Sequence, residues 1–274
     1  LGLENTNNVN QFTNTNIKVI SVTCGYCNTM FIDENNYLWV TGRNNYGQLG
    51  LTNLNKINQF TNTNIKVISI SCGDNHTGII DENNYLWVTG CNIYGELGIK
   101  YDNVNQFTNT NIKAISVSCG YGHTTIIDEN NYLWVTGSNG QLGLGNNNEV
   151  HQFTNTNIKV LLVSCGFDHT AIIDQDNYLW ITGYNSDGQL GLGNNDDVCQ
   201  FTNTNIKAIS VSCEDFNTII TDEDSHLWIT GNNNNGQLGL GHTNNVSQFT
   251  KVENIIPRTP SNRFKKTKSA RKID

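Results

Sequence analysis

The chain has 274 residues, 36% of them apolar and only 15% charged, with a formal net charge of -8. Asparagine fills much of the gap from an ordinary globular composition; such a chain can be a low-complexity or aggregating one, but regularly spaced Trp, Ile, Val and Leu supply a core throughout and argue against that. Nine bases face 23 acids before Pro257, a net of -14, while seven bases face one acid from Pro257 to Asp274, a net of +6; the body is a poor general nucleic-acid binder, and the tail is left able to touch phosphate, a membrane surface or an import receptor.

The chain opens on Leu1-Gly2-Leu3, the second half of a GQLGL string that returns later, so further residues upstream are expected. No signal peptide is visible, and no apolar run approaches the roughly 18 residues needed to cross a bilayer. At Phe12 comes FTNTNIK, which returns letter for letter at Phe60, Phe107, Phe153 and Phe201. The Gln before each of these, with a sixth at Gln248, recurs every 46 to 48 residues. Self-similarity at that period means stacked supersecondary units, either helical repeats of about 40–47 residues or propeller blades of about 40–50.

Local pattern decides between them. Ile112 to Cys119 is rich in β-branched residues and carries small or apolar residues on both faces, as a strand between two neighbouring sheets must. His123 to Asp128 and Tyr132 to Gly137 flank Glu-Asn-Asn, and asparagine tolerates the left-handed backbone of a tight hairpin. The two prolines of the chain both lie in the tail, so none interrupts a strand. Each unit therefore reads as four short strands: one near Gln-Phe-Thr, then IKVISVSC, then HTxII, then YLWVTG. A lone sheet of this kind exposes apolar area on both sides, and radial stacking covers both. The expected fold is all-β, a propeller of four-stranded antiparallel blades with five complete repeats over residues 1–256. It closes as a five-blade ring or forms part of a larger one of up to seven blades. Residues 257–274 form a basic tail. The identity of the heptapeptides fits a shared niche between blades, and equally a recent duplication.

GQLGLG (Gly140 to Gly145, Gly188 to Gly193, Gly236 to Gly241) and VSCGxxHT (Val117 to Thr124, Val163 to Thr170), with a strand ending in Gly before Asn, resemble the regulator of chromosome condensation repeat family. The resemblance covers Leu1 to about Ile256. It implies a β-propeller, usually of seven blades. It also implies either an interaction module or a guanine-nucleotide exchange factor for a Ran-type GTPase that binds chromatin. This chain departs from the family pattern at its last strand, where Trp39, Trp87, Trp134, Trp180 and Trp228 precede Val/Ile-Thr-Gly and Thr stands where the family has Trp. The motif of the family's light-sensing members is absent.

Catalytic chemistry is hard to place. Cys24, Cys72, Cys119, Cys165 and Cys213 recur once per unit and read as small buried hydrophobes. Cys24 and Cys27 form a single CxxC with no second pair, which is too little for zinc or redox work. His76, His123 and His169 exchange with Asn28 and Asn217, and both residue types can donate one hydrogen bond and accept another, so a structural bond is expected rather than a catalytic base. The GQLGLG loops lack the GxxxxGK[ST] of a phosphate cradle. The expectation is a non-enzyme without cofactor or metal.

Strand directions sort the loops onto two faces. The Asp-Glu-Asn-Asn turns share one with Lys18, Lys66, Lys113, Lys159 and Lys207, where exposed charge pairs are worth about 0–1 kcal/mol each, so that face reads as structural. On the other, near-identical repeats stop agreeing. One loop series carries Tyr26, Asp74, Tyr121, Phe167 and Asp215 with Phe216; the other carries Arg43, Tyr46, Ile93, Tyr94 and Tyr184. Tyr, Phe and Arg are residue types of protein interfaces. This face is the expected binding site for a protein partner, a small GTPase in the exchange-factor reading, with no membrane role. Arg263, Lys265, Lys266, Lys268, Arg271 and Lys272 of the tail are the candidates for contact with nucleic acid or an import receptor. A cytoplasmic or nuclear, intracellular setting follows from these readings.

Overall fold

Two local devices recur along the chain and set its strands. The first is the turn after each HTxIID strand. Asp33 Oδ1 accepts the N–H groups of Asn35 and Tyr37 at 2.9 Å each, and its Oδ2 accepts the Trp39 indole N–H at 2.9 Å. Asn36 takes a left-handed backbone, φ 67°, to complete the reversal. The same aspartate-to-indole bond joins Asp81 to Trp87, Asp128 to Trp134, Asp174 to Trp180 and Asp222 to Trp228. In the last of these the bond from Trp228, foremost, holds the Asp222 carboxyl down to about 2. The second device is FTNTNIK itself. Asn62 Oδ1 accepts the Asn64 N–H at 2.7 Å, Asn64 turns left-handed at φ 59°, and Thr63 Oγ1 donates to Leu38 O at 3.0 Å. Asn111, Asn157 and Asn205 repeat the left-handed turn.

These devices build sixteen antiparallel strands, described here by a computed structural model for residues 14–100, 102–138 and 140–252. Blade 1 is β1 (Val19–Cys24), β2 (Asn28–Asp33), β3 (Tyr37–Gly42) and the first half of β4 (Ile57–Cys72). Blade 2 is the second half of β4, β5 (His76–Asp81), β6 (Tyr85–Gly90) and the first half of β7 (Val104–Cys119). Blade 3 continues through β8 (His123–Asp128) and β9 (Tyr132–Gly137) into β10 (Val150–Cys165). Blade 4 runs through β11 (His169–Asp174) and β12 (Tyr178–Gly183) into β13 (Val198–Glu214). Blade 5 ends with β14 (Asn217–Asp222), β15 (Leu227–Gly231) and β16 (Val246–Lys251).

The all-β reading with five four-stranded units holds, but the unit is cut elsewhere than the letters imply. The Gln-Phe-Thr strand does not open its own repeat. It pairs with the Trp strand before it (Trp39 opposite Asn62, Val40 opposite Thr61) and so closes the preceding blade. The chain then runs on as one 16-residue strand into the next blade, with the change of sheet falling at the end of FTNTNIK, between Lys66 and Val67. A repeated string has no intrinsic starting point; only the pairing shows where a blade ends.

Four hydrophobic clusters form, each shared by two consecutive blades; the first joins Met30, Leu38 and Val40 to Val67, Ile79 and Phe107. Polar bonds cross the same seams. His76, His123 and His169 meet Thr124, Thr170 and Thr218 of the following blade through Nε2, each at 2.9 Å. The structural role expected for these histidines is what the geometry shows. Cys72, Cys119, Cys165 and Cys213 are buried as expected; Cys24, the first of the series, is exposed, as is Cys27. On the turn face Lys18, Lys66, Lys113 and Lys207 lie 3.1–3.9 Å from Glu34, Glu82, Glu129 and Glu223. Among the described residues β1 pairs only with β2 and β16 only with β15, so the array has two free ends and ring closure is not seen. No helix among these residues is long and apolar enough to cross a membrane. Residues 257–274, with the basic candidates, lie outside the described residues.

Two outcomes follow from these seams. Burial holds the three ring histidines below the usual imidazole range, His123 to about 3 and His169 to about 4. Their unfolded value is about 6.5, so between the two values the unfolded chain binds more protons. Stability is then complete above about pH 6.5 and falls as pH drops toward the folded values, by about 2 kcal/mol for each of His123 and His169 between pH 6.5 and 5. His123→Asn, which installs the residue found at Asn28 and Asn217, should flatten the pH dependence of the urea midpoint relative to the parent; an unchanged slope refutes the assignment. The second outcome concerns identical heptapeptides. Phe153 is buried against Gly98, whereas Phe60 sits at the free end of the array and packs on Phe31 within its own blade. Phe153→Ala should cost about 3 kcal/mol or more in denaturant unfolding, and Phe60→Ala markedly less.

Candidate functional site

The loops opposite the lysine face begin where each inner strand ends in Cys-Gly. The glycine amide closes the loop on the residue that starts the next strand: Gly73, Gly120 and Gly166 donate to the carbonyls of His76, His123 and His169 at 2.9 Å. A side chain has no room there. A Cβ on Gly120 would lie 2.2 Å from the His123 ring and 2.5 Å from Gly166 O. Blade 5 replaces this glycine with Glu214, at a site with an asparagine in place of the histidine and with no following blade among the described residues.

The tips between Gly and His carry the variable residues. They are bonded to one another across blades: Tyr121 N–H donates to Phe167 O at 3.1 Å, and Phe167 N–H to Asp215 O at 2.9 Å. This stacks their side chains. The Tyr121 and Phe167 rings lie 4.3 Å apart and nearly parallel, and Phe167 and Phe216 lie 5.2 Å apart. The other loop series adds a ring at each end, Tyr94 at 6.3 Å from Tyr121 and Tyr184 at 6.4 Å from Phe216. Blades 2 to 5 thus contribute to one five-ring ladder. Such ring pairs add about 0.5–1.5 kcal/mol each beyond their burial, so the ladder is a stiff platform rather than a set of loose side chains.

Carboxylates gather around the ladder. Asp74 is half-buried, and burial first, then the charge of Asp215, raise its carboxyl above the usual range. Asp168 is raised by burial, then by Asp74 and Asp197, and Glu214 by burial and then by Asp215. Gln141 Nε2 donates to Asp168 Oδ1 at 3.3 Å. A shallow recess of about 380 Å³ beside the ladder is lined by Gln141, Asp168, Tyr184, Asp197 and Cys199 among others. The site offers flat aromatic rings and crowded carboxylates.

The structure therefore brings together Asp74, Tyr94, Tyr121, Phe167, Tyr184, Asp215 and Phe216 of the sequence-derived set. It sets three others apart, in blade 1: Arg43 lies 5.5 Å over the Tyr46 ring, and Tyr26 stands 72% exposed. Sequence reading passed over Asp168, Asp197 and Glu214. Asp168 occupies the loop position held elsewhere by Cys27, Asn75, Gly122 and Phe216, so its variability was a signal; nothing in the letters indicated Asp197.

A family profile described as RCC1-like domain matches residues 1–270. No curated protein matches the chain by sequence. Among solved structures, human WBSCR16 superposes with a TM-score of 0.77 at 18% identity, covering 86% of this chain and 67% of that one. Prp20p from Saccharomyces cerevisiae, described with its binding properties to Gsp1p and histones, gives 0.76 at 18% identity, covering 87% and 64%. Yeast RCC1 (Prp20) bound to Kap60 gives 0.69 at 16% identity, covering 86% and 75%. The chain thus spans about two thirds to three quarters of the structures it resembles, and at these identities the likeness speaks for the fold. With the profile matched over nearly its whole length and with five blades of the expected pattern, the chain belongs to the RCC1-like domain family.

Proposed function

We propose that this chain is a protein-interaction scaffold that captures its partner on the variable-loop face, and that it is a binding module rather than an enzyme. The observation that carries the reading is the ladder from Tyr94 to Tyr184, built from positions at which otherwise near-identical repeats differ. A rigid aromatic platform loses little side-chain freedom when a partner lands on it, which favours affinity. The crowded carboxylates Asp74, Asp168 and Asp215 favour a partner surface that brings cationic groups.

A second reading, nucleotide exchange on a Ran-type GTPase, is favoured by the likeness to Prp20p, whose structure is described with binding to Gsp1p. Against it, the repeats present in this sequence, at 46 to 48 residues, leave no room within them for the inserted hairpin with which the family's exchange factor wedges open the nucleotide site, though units upstream could hold one. The basic residues Arg263, Lys265, Lys266, Lys268, Arg271 and Lys272 are proposed to serve nuclear import or chromatin contact, in keeping with an intracellular role.

Affinity capture from a lysate of the source cell tests the first reading. Tyr121→Ala with Phe167→Ala removes three ring pairs and should lower the unfolding midpoint while leaving a cooperative transition; the folded variant should recover the main partner at least tenfold less well, and undiminished capture rejects the face. Release of labelled GDP from a Ran-type GTPase tests the second: acceleration by the purified chain would displace the scaffold reading. Deletion of residues 257–274 should move the protein out of the nucleus if the tail is an import signal.

A further inference from the structure

The turn face carries a clamp at its seams. Glu82, Glu129 and Glu223 each meet two residues of the blade before. One is the lysine that ends FTNTNIK, Lys66, Lys113 or Lys207, at 3.4–3.9 Å. The other is the left-handed asparagine of the hairpin, Asn36, Asn84 or Asn177, whose side chain donates at 3.2–3.3 Å. One carboxylate thus ties two blades together. The seam between blades 3 and 4 is the exception. Gln175 stands where the other three have glutamate, and among the described residues Lys159 has no carboxylate partner and the Asn131 side chain makes no bond to blade 4. The Lys159 ammonium is left over the Tyr132 ring, at 5.1 Å.

Beside Gln175 this seam opens into a recess of about 630 Å³, within the range of about 300–1,000 Å³ usual for small-molecule sites. Its floor is apolar and fixed. Trp180, Ile158 and Leu144 are half-buried against the core cluster that blades 3 and 4 share. The Trp180 indole is held by Asp174 at 2.7 Å, and Leu144 by a β-bridge to Gln200. Its rim is polar and largely unengaged. Lys159, Gln175, Asp176 and Gln200 line it, and among the described residues the side chains of Gln175, Asp176 and Gln200 hydrogen-bond to nothing else in the chain. Lys159 supplies donors, Asp176 acceptors, and the two glutamines both. The charges of Lys159 and Asp176 offset each other, and Asp174 is committed to the indole and to the Tyr178 and Asp176 amides.

We propose that this recess binds carbohydrate: a neutral pyranoside, with the C–H face of its ring on Trp180 and its hydroxyls on Lys159, Gln175, Asp176 and Gln200. An apolar floor under a polar rim calls for a ligand with one apolar face and a polar edge. A hydroxyl both donates and accepts, so neighbouring hydroxyls suit a rim that mixes donors with acceptors. An anion would be opposed by Asp176 and a cation by Lys159, which leaves the neutral ligand favoured. The seam between blades 4 and 5 shows what controls the site. Leu192, Ile206, Lys207, Asp224, Trp228 and Gln248 repeat the floor and rim there, and the one departure among the lining positions is Glu223 in the place of Gln175. Glu223 engages Lys207 and Asn177, so a lysine that would serve a ligand is spent on the clamp.

Indole N–H NMR of the isotope-labelled 274-residue chain tests this, since its five tryptophans give five indole signals. Trp180→Phe and Trp228→Phe identify two of them by their loss. The probes are the methyl glycosides of glucose, galactose, mannose and N-acetylglucosamine, titrated one at a time. At least one should shift the Trp180 signal saturably, with a Kd in the millimolar range, and leave the other four signals in place. Gln175→Glu installs the residue of the other seams; it should keep the unfolding midpoint at or above the parent's and weaken that binding about tenfold or more. Glu223→Gln should make the Trp228 signal respond to the same sugar. No shift at Trp180 with any probe overturns the proposal. So does binding that survives Gln175→Glu undiminished, a Trp228 signal that stays unmoved in Glu223→Gln, or a stronger response to glucuronate or glucosamine than to the neutral glycosides.

Discussion

Every other feature of this molecule depends on covering a sheet that is apolar on both sides. The inner strands leave Val, Ile, Cys or Ala on one surface, and the HTxII strands leave Ile or Met on the other, so no blade can stand alone in water. Only another blade of the same shape covers such a surface well, which is why the seam is repeated almost unchanged four times. The left-handed asparagines serve this constraint: they let one continuous strand leave a sheet and enter the next at the required angle, while Thr63 and its counterparts satisfy the carbonyls that the change of direction would otherwise strand.

That constraint made the fold readable from letters alone, and it also explains where the reading fell short. A repeat of Trp strands and β-branched strands at a fixed interval suits blades, because radial stacking hides both sides of such sheets. The partition of a 16-residue strand between two blades was not readable, because identity among repeats is unaffected by where the cut is placed. The Asp128-to-Trp134 bond and its relatives were also hidden. The turn sequence Asp-Glu-Asn-Asn announces a hairpin, but the hairpin geometry alone does not say that its first carboxylate reaches six residues onward to an indole. The lysine and glutamate pairing was legible, since antiparallel strand direction places Lys113 and Glu129 at the same end of neighbouring strands.

The candidate site was legible as a set of positions and not as an arrangement. Divergence among repeats picks out Tyr121, Phe167 and Phe216 as residues the fold does not dictate. It carries no information on distance between loops of different blades. That depends on the backbone bonds from Tyr121 to Phe167 and from Phe167 to Asp215, which draw the tips together. Tyr26, Arg43 and Tyr46 stand outside the ladder: Asp74 occupies the intervening tip in blade 2 and offers no ring to continue the stack.

The division of labour between seam and loop has a chemical side. Residues that elsewhere perform reactions are placed in the seams and made inert there. Burial pushes the Cys119 and Cys213 thiols up to about 12 and the His123 imidazole down to about 3, so at neutral pH both are uncharged and packed. A thiol protonated at that level is a poor nucleophile, and a histidine at that level is a hydrogen-bonding spacer. The repeated positions are thus spent on holding blades together, and a change at any of them acts through folding before it can act on binding. The loop tips carry no such duty, apart from the glycine that lets each one close against the next. Their backbones are joined across blades, but their side chains are where one blade differs from another.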